Sequence, residues 1–232
     1  MKRVLITGSN RGLGLEWVRQ YAEANWQVIA TCRHPAEAHS LQEFASHNAN
    51  VSVYKLDVTV PPDIEALTRI LNGVPLDLLI NNAGVYFEKF NADHLGAIHY
   101  GDWEETFRVN VLGAIRMTEA FRPHLLHGQA PLVVAITSHM GSISEIASAG
   151  SYAYRSSKAA LNAAMTGLSH ELRGDGIGVL LLHPGWVQTR MGGPGAPLTV
   201  TQSVHGMRKR IDQFSLAQSG TFYRFDGSII PW

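Results

Sequence analysis

Cysteine is nearly missing from this chain. Cys32 is the only one in 232 residues, so no intramolecular disulfide can form, and a reducing, cytoplasmic setting is expected. An excess of either charge is missing too: lysine plus arginine number 19 and aspartate plus glutamate 19, a formal net charge of +0. That balance leaves no electrostatic footprint for nucleic acid. The basic run Arg208-Lys209-Arg210 reads as the solvated face of a late helix. No apolar run approaches the ~20 residues needed to cross a bilayer. The opening Met1-Lys2-Arg3-Val4-Leu5-Ile6-Thr7 has too short an apolar stretch for a secretory signal. Eleven histidines are present, but none forms a His-x-x-x-His pair with the intervening Glu, and no metal site is expected. Repeats, low-complexity tracts and linkers are also absent. The length suits one α/β domain over 1–232.

What is present is an alternation of short apolar runs with longer amphipathic stretches. Strands are expected near 3–7, 27–31, 51–55, 76–81, 132–137, 178–183 and 221–225, and helices near 12–24, 36–46, 62–72, 103–127, 152–173 and 200–214. Near-continuous apolar runs such as Leu78-Leu79-Ile80 and Val179-Leu180-Leu181-Leu182 suit strands covered on both faces. Strands separated by helices at this spacing imply right-handed crossovers and a doubly wound parallel sheet of about seven strands, of Rossmann type. Ligands in such sheets bind beyond the carboxyl ends of the strands. Two long connections, 86–101 and 188–200, reach that edge. They are read as substrate walls, the second as a mobile flap whose Gly and Pro residues supply its turns.

Two local patterns carry chemistry. Thr7-Gly8-Ser9-Asn10-Arg11-Gly12-Leu13-Gly14 lies between an apolar run and an amphipathic one. A strand, a glycine turn and a helix N-terminus in that order favour close approach of a phosphate. The spacing is Gly-x3-Gly-x-Gly, and a simple turn is the plainer alternative. Farther on, Tyr154 and Lys158 stand four residues apart in a helical stretch, on one face. A positive charge beside a phenol favours phenolate, so Lys158 is expected to lower the Tyr154 pKa and make it a usable acid/base. Taken alone, such a spacing is most often a half-buried Tyr beside a solvated Lys.

Taken together these residues resemble the short-chain dehydrogenase/reductase family over nearly the whole chain. The family's glycine turn matches Thr7 to Gly14, and its acidic residue after the third strand matches Asp57 in Leu56-Asp57-Val58. Its Asn-Asn-Ala-Gly matches Asn81-Asn82-Ala83-Gly84, and its Pro-Gly after the sixth strand matches Pro184-Gly185, with Val187 and Thr189 following. The family's catalytic positions fall on Asn110, Ser138, Tyr154 and Lys158. Ser138 lies 16 positions before Tyr154, longer than the commonest family spacing, and Ser142 and Thr137 are the alternatives. The Gly-Ser after Ser138, the Tyr-x-Tyr-Arg-x-Ser-Lys wording and the short tail ending Pro231-Trp232 resemble the carbonyl reductase subgroup of the C-factor and sniffer type.

The resemblance implies an NADP-dependent oxidoreductase that reduces a ketone or aldehyde to an alcohol. Tyr154 gives the proton, Ser138 steadies the carbonyl oxygen, Lys158 holds the nicotinamide ribose, and Asn110 anchors a water that relays protons to Lys158. Cofactor contacts are expected from Gly8, Ser9, Asn10, Arg11, Gly12, Leu13, Gly14, Arg33, Asp57, Val58, Asn81, Ala83, Gly84, Tyr154, Lys158, Pro184, Gly185, Val187 and Thr189. Members preferring NAD carry an acid at the end of the second strand, where this chain has Cys32 followed by Arg33. With Arg11, that arginine suits the 2′-phosphate of NADPH, and NAD is the lesser expectation. Phe87, Phe90, His139, Met140, Trp186 and Met191 imply a largely apolar substrate cavity, with His139 facing either substrate or solvent. The partner is a small carbonyl or alcohol, with no nucleic acid and no membrane. A homodimer or homotetramer is expected through helices 103–127 and 152–173. The alternative is a catalytically weak nucleotide-binding signalling or regulatory protein on the same fold.

Overall fold

The computed structural model describes residues 1–89 and 94–232; the wall candidate Phe90 lies outside them. Among the described residues, seven strands form one parallel sheet: β1 (Arg3–Thr7), β2 (Gln27–Cys32), β3 (Val51–Lys55), β4 (Leu78–Asn81), β5 (Leu132–Ile136), β6 (Gly178–His183) and β7 (Phe222–Arg224). Their order is β3-β2-β1-β4-β5-β6-β7. The direction of winding reverses between β1 and β4, and a crevice at such a switch point is where sheets of this type take ligands.

Helices α1 (Gly12–Glu23), α2 (His39–Ser46), α3 (Pro61–Ile70), α4 (Tyr100–Phe107), α5 (Ala114–Leu125), α6 (Tyr152–Leu172) and α7 (Val200–Asp212) cover both faces. Successive strand side chains point to opposite faces, and the core divides accordingly. Val4, Ile6, Val28, Ala30, Leu78 and Ile80 pack with Trp17, Tyr21, Leu41 and Met207 from α1, α2 and α7. Leu5, Ile29, Leu79, Val133 and Leu181 pack with Leu67, Phe121, Leu161 and Met165 from α3, α5 and α6. Arg208 lies over the Tyr21 ring at 4.8 Å and fastens α7 to α1.

Three details depart from the expected elements. The helix expected over 103–127 begins at Tyr100 and is interrupted by a π-helical turn at Arg108–Gly113. Its last part, α5, runs through Pro123 and ends at Leu125, two residues before the expected 127. The strand expected from residue 76 starts at Leu78, because the Leu76 amide is taken by the His124 carbonyl at 3.0 Å. No described helix is long and apolar enough to cross a membrane.

Candidate active site

The glycine turn joins β1 to α1 at the switch point. Gly8 and Gly12 have φ of 69° and 54°, in the region that excludes most side chains. A Cβ on Gly14 would stand 2.0 Å from the Gly8 carbonyl oxygen, and one on Gly8 would stand 3.0 Å from Ala83 Cα. The turn is therefore closed against the end of β4. Asn82 fastens it: its Nδ2 donates to the carbonyls of Thr7 (2.9 Å) and Gly8 (3.2 Å), while Thr7 Oγ1 accepts from the amides of Asn82 and Ala83. The fully buried Ser9 hydroxyl donates to the Ile6 carbonyl and accepts from the Thr31 amide, locking the turn onto β2. Asn10 and Leu13 are half-buried along the same turn.

Three exposed arginines gather beside it. Arg11 is in the turn, Arg33 follows β2, and Arg190 comes from the connection after β6. Burial and repulsion from Arg190 and Arg33 hold the Arg11 guanidinium below its ordinary pKa. Arg190 was not singled out in the sequence, because 157 positions separate it from Arg33 and no local pattern links them.

The Tyr154–Lys158 pair lies on α6 with both side chains buried. Lys158 Nζ is 5.7 Å from the Tyr154 ring centre and donates to the Ile136 carbonyl at 2.9 Å. Burial lowers the ammonium to about 8. The expectation that Lys158 acidifies the phenol is not met in this chain. Burial pushes Tyr154 up to about 12, the Ser138 hydroxyl beside it pulls down, and Lys158 is not among the causes. Removing a phenolate from water outweighs a cation that is itself desolvated and engaged with a carbonyl.

The three serine and threonine candidates are told apart by their neighbours. Ser138 faces Tyr154 and accepts from the Met140 amide at 3.2 Å. The Thr137 hydroxyl donates to Asn162 at 2.6 Å, and the Ser142 hydroxyl reaches the Trp232 carbonyl. Asn110 sits in the π-turn, a distortion frequent at functional sites. Its Oδ1 accepts from the Val85 amide (2.8 Å), and its Nδ2 donates to the Val85 carbonyl (2.9 Å) and to Ser157 (3.1 Å). A Cβ on Gly84 would meet Asn110 Oδ1 at 3.3 Å and Lys158 Nζ at 3.8 Å, so these three converge.

Other expected residues have structural partners. The buried Asn81 side chain donates to Thr118 of α5 at 3.2 Å. Asp57 Oδ1 accepts from the Thr59 amide and hydroxyl, holding the turn after β3. Val58 abuts the π-turn at Gly113. After β6, Pro184 accepts from Ser203 at 2.6 Å, Gly185 takes φ 83° and Val187 bridges to Leu198. The expected flap is stitched internally: Gly192 donates to Thr189 Oγ1 (3.0 Å) and Trp186 Nε1 to the Gly192 carbonyl (2.7 Å). Thr189 lies over Gly12, where an added Cβ would stand 3.4 Å from its methyl. Tyr154 Oη points at Met191 Sδ, 3.9 Å away. His139 is paired with Glu145, and its ring lies 5.9 Å from that of His183, which burial lowers to about 3.

A buried tyrosine, lysine and serine at one sheet edge, beside a glycine turn on a seven-stranded parallel sheet, define a dehydrogenase of the doubly wound class. The chain belongs to the short chain dehydrogenase family, whose model matches residues 2–196. It is 46% identical over 165 residues to the C-signal protein of Myxococcus xanthus, covering 71% of this chain and 97% of that one. Its structure is similar to the crystal structure of NADPH-bound carbonyl reductase from chicken fatty liver, with TM-score 0.92 and 34% identity over 100% of this chain and 99% of that one. The carbonyl reductase Sniffer of D. melanogaster matches with TM-score 0.90 and 31% identity over 100% of both chains. The chain is an oxidoreductase of this family.

Proposed function

We propose that the chain is an NADPH-dependent carbonyl reductase that converts a ketone or aldehyde to the alcohol, with Tyr154 as proton donor. The observation that carries this reading is the meeting, at one sheet edge, of a buried Tyr154–Ser138–Lys158 group with a glycine turn fringed by Arg11, Arg33 and Arg190. The residues present fit the cofactor. Half-buried Gly8 and Gly12 keep the turn before α1 free of side chains, and buried Gly14 lets the turn close, at a helix N-terminus where a pyrophosphate is favoured. Arg11 and Arg33 suit a 2′-phosphate, as the NADPH-bound relative also suggests. Asp57, Val58, Ala83 and Gly84 would line the adenine and ribose, and Pro184, Gly185, Val187 and Thr189 the nicotinamide. When bound, NADPH supplies the hydride.

The chain's own residues then manage the oxygen. Tyr154 is protonated at neutral pH, the state a donor to a carbonyl oxygen needs, and burial shifts the phenol further from ionisation. Ser138 is placed to give that oxygen a hydrogen bond as charge develops. Lys158, buried on the same face, supplies positive charge close to Tyr154 when protonated. Phe87, Met140, Trp186 and Met191 would exclude water around the substrate. α6 leaves Ala163 and Gly167 exposed on a small-residue face, which supports a homo-oligomer built through that helix. A signalling module with little turnover would have no need of all four of Asn110, Ser138, Tyr154 and Lys158. The test is loss of NADPH absorbance over a panel of ketones and aldehydes, repeated with NADH. Turnover with NADPH and a higher kcat/KM for it are expected; no turnover, or equal values, would overturn the respective part.

A further inference from the structure

Resting on that reading of Tyr154, we propose that Glu88 is a positioning residue for the proton donor. Its carboxylate caps α6 at the amide of Tyr154 itself and makes the 84–88 segment and the helix one body.

α6 needs such a partner. The first N–H groups of a helix have no acceptor within it, and here the usual local solutions are missing. Ser151, at the capping position, has φ 55°, its side chain makes no capping bond, and the first turn holds no acidic residue. The acceptor comes from a distant part of the chain instead. Glu88 Oε1 accepts from the Ala153 amide at 3.0 Å and Oε2 from the Tyr154 amide at 2.8 Å. A carboxylate at a helix N-terminus is favoured by the aligned peptide dipoles, and charge-assisted bonds of this length are the stronger kind.

Four further contacts make the junction rigid. The Tyr86 ring stacks on the Tyr154 ring, centres 4.2 Å apart and planes inclined by 22°, and its hydroxyl pairs with that of Ser151. Val85 is held from the other side by both backbone bonds to Asn110. Asn110, Val85, Tyr86 and Glu88 thus connect the π-turn to the first turn of α6, with the phenol between them. Glu88 touches no reacting atom; it acts through Tyr154. The glycine turn and its arginines, which would grip the phosphates, are on other segments, so changing Glu88 should affect turnover and leave that grip intact.

The test uses the full chain with NADPH and para-nitrobenzaldehyde, comparing Glu88→Ala with Glu88→Gln, which keeps one acceptor oxygen. Misplacing a donor by about 1 Å costs about a hundredfold, so Glu88→Ala is expected to lose about that in kcat with KM for NADPH unchanged. Glu88→Gln should return to within about tenfold of the parent, the scale of one hydrogen bond. Hydrogen–deuterium exchange over 151–157 gives a readout that needs no turnover; it should accelerate in Glu88→Ala and be largely restored in Glu88→Gln. Parental kcat and exchange in Glu88→Ala, or a Gln variant as impaired as Ala in both, would overturn the proposal. A parent chain that reduces no carbonyl would overturn the reductase reading instead, and exchange would then decide on Glu88 alone.

Discussion

The Lys158 ammonium stands 5.7 Å from the centre of the Tyr154 ring, one helical turn along α6. Burial disfavours the charged form of each group, so it moves them in opposite senses, the phenol up to about 12 and the ammonium down to about 8. This has a consequence for stability. Unfolded, Lys158 keeps its proton to its ordinary 10.5; folded, it loses it near 8. Between those values the unfolded state binds more protons, so stability rises with pH. Tyr154 has the opposite slope, but only above its ordinary 10. The Tm of the chain is therefore expected to climb from pH 8 to pH 10 relative to Lys158→Met. Thermal melts in which the two proteins keep a constant difference across that window would contradict the assignment.

Tyr154→Phe removes the hydroxyl and leaves the ring against Tyr86. Carbonyl reduction is expected to fall by about 10²–10⁴-fold, the range for losing a general acid, or below detection. NADPH binding, followed by fluorescence, should change little, because the glycine turn and the arginines are untouched. Retained turnover would remove Tyr154 from the role of donor.

Much of this was legible in the sequence because the signals are local. The glycines of 8–14 mark a turn between strand and helix, and the apolar runs at 78–80 and 179–182 mark buried strands, without knowledge of any distant partner. The remainder depends on contacts that no window contains. Glu88 and Tyr154 are 66 positions apart, and nothing near Glu88 reads as a helix cap. The choice of Ser138 over Thr137 and Ser142 follows from what each hydroxyl meets in space, Tyr154, Asn162 or Trp232. The sign of the Tyr154 shift is hidden from the sequence for a related reason. Spacing along a helix reveals the neighbouring cation, whereas burial is a property of the assembled sheet and helices.

Cofactor choice is expected to reside in the arginines. Arg33→Ala removes one guanidinium from the group around Arg11, and a charge-assisted bond is worth about 1.5–3 kcal/mol. The kcat/KM with NADPH should fall by about ten- to a hundredfold, while the value with NADH stays near the parent's. Arg190→Ala should also weaken NADPH, since Arg190 acts on Arg11 more strongly than Arg33 does and so belongs to the same positive group. Equal losses with both nucleotides would mean that these side chains serve the fold or a shared part of the cofactor.

Gly14→Ala tests the closure of the turn. The added Cβ would stand 2.0 Å from the Gly8 carbonyl oxygen and 2.8 Å from Asn82 Nδ2. The first of these is backbone and has no rotamer with which to yield. Gly8 in turn leans on Ala83, so relief would have to open the junction between β1 and β4. Overpacking of this kind costs about 1–3 kcal/mol, or about 2–4 °C in Tm for each kcal/mol in a chain of this size. Gly174→Ala is the matched control, because a Cβ there meets nothing within 4 Å. The Gly14 variant should melt well below it and bind NADPH weakly; equal melting temperatures and equal affinities would show that the turn has room to spare.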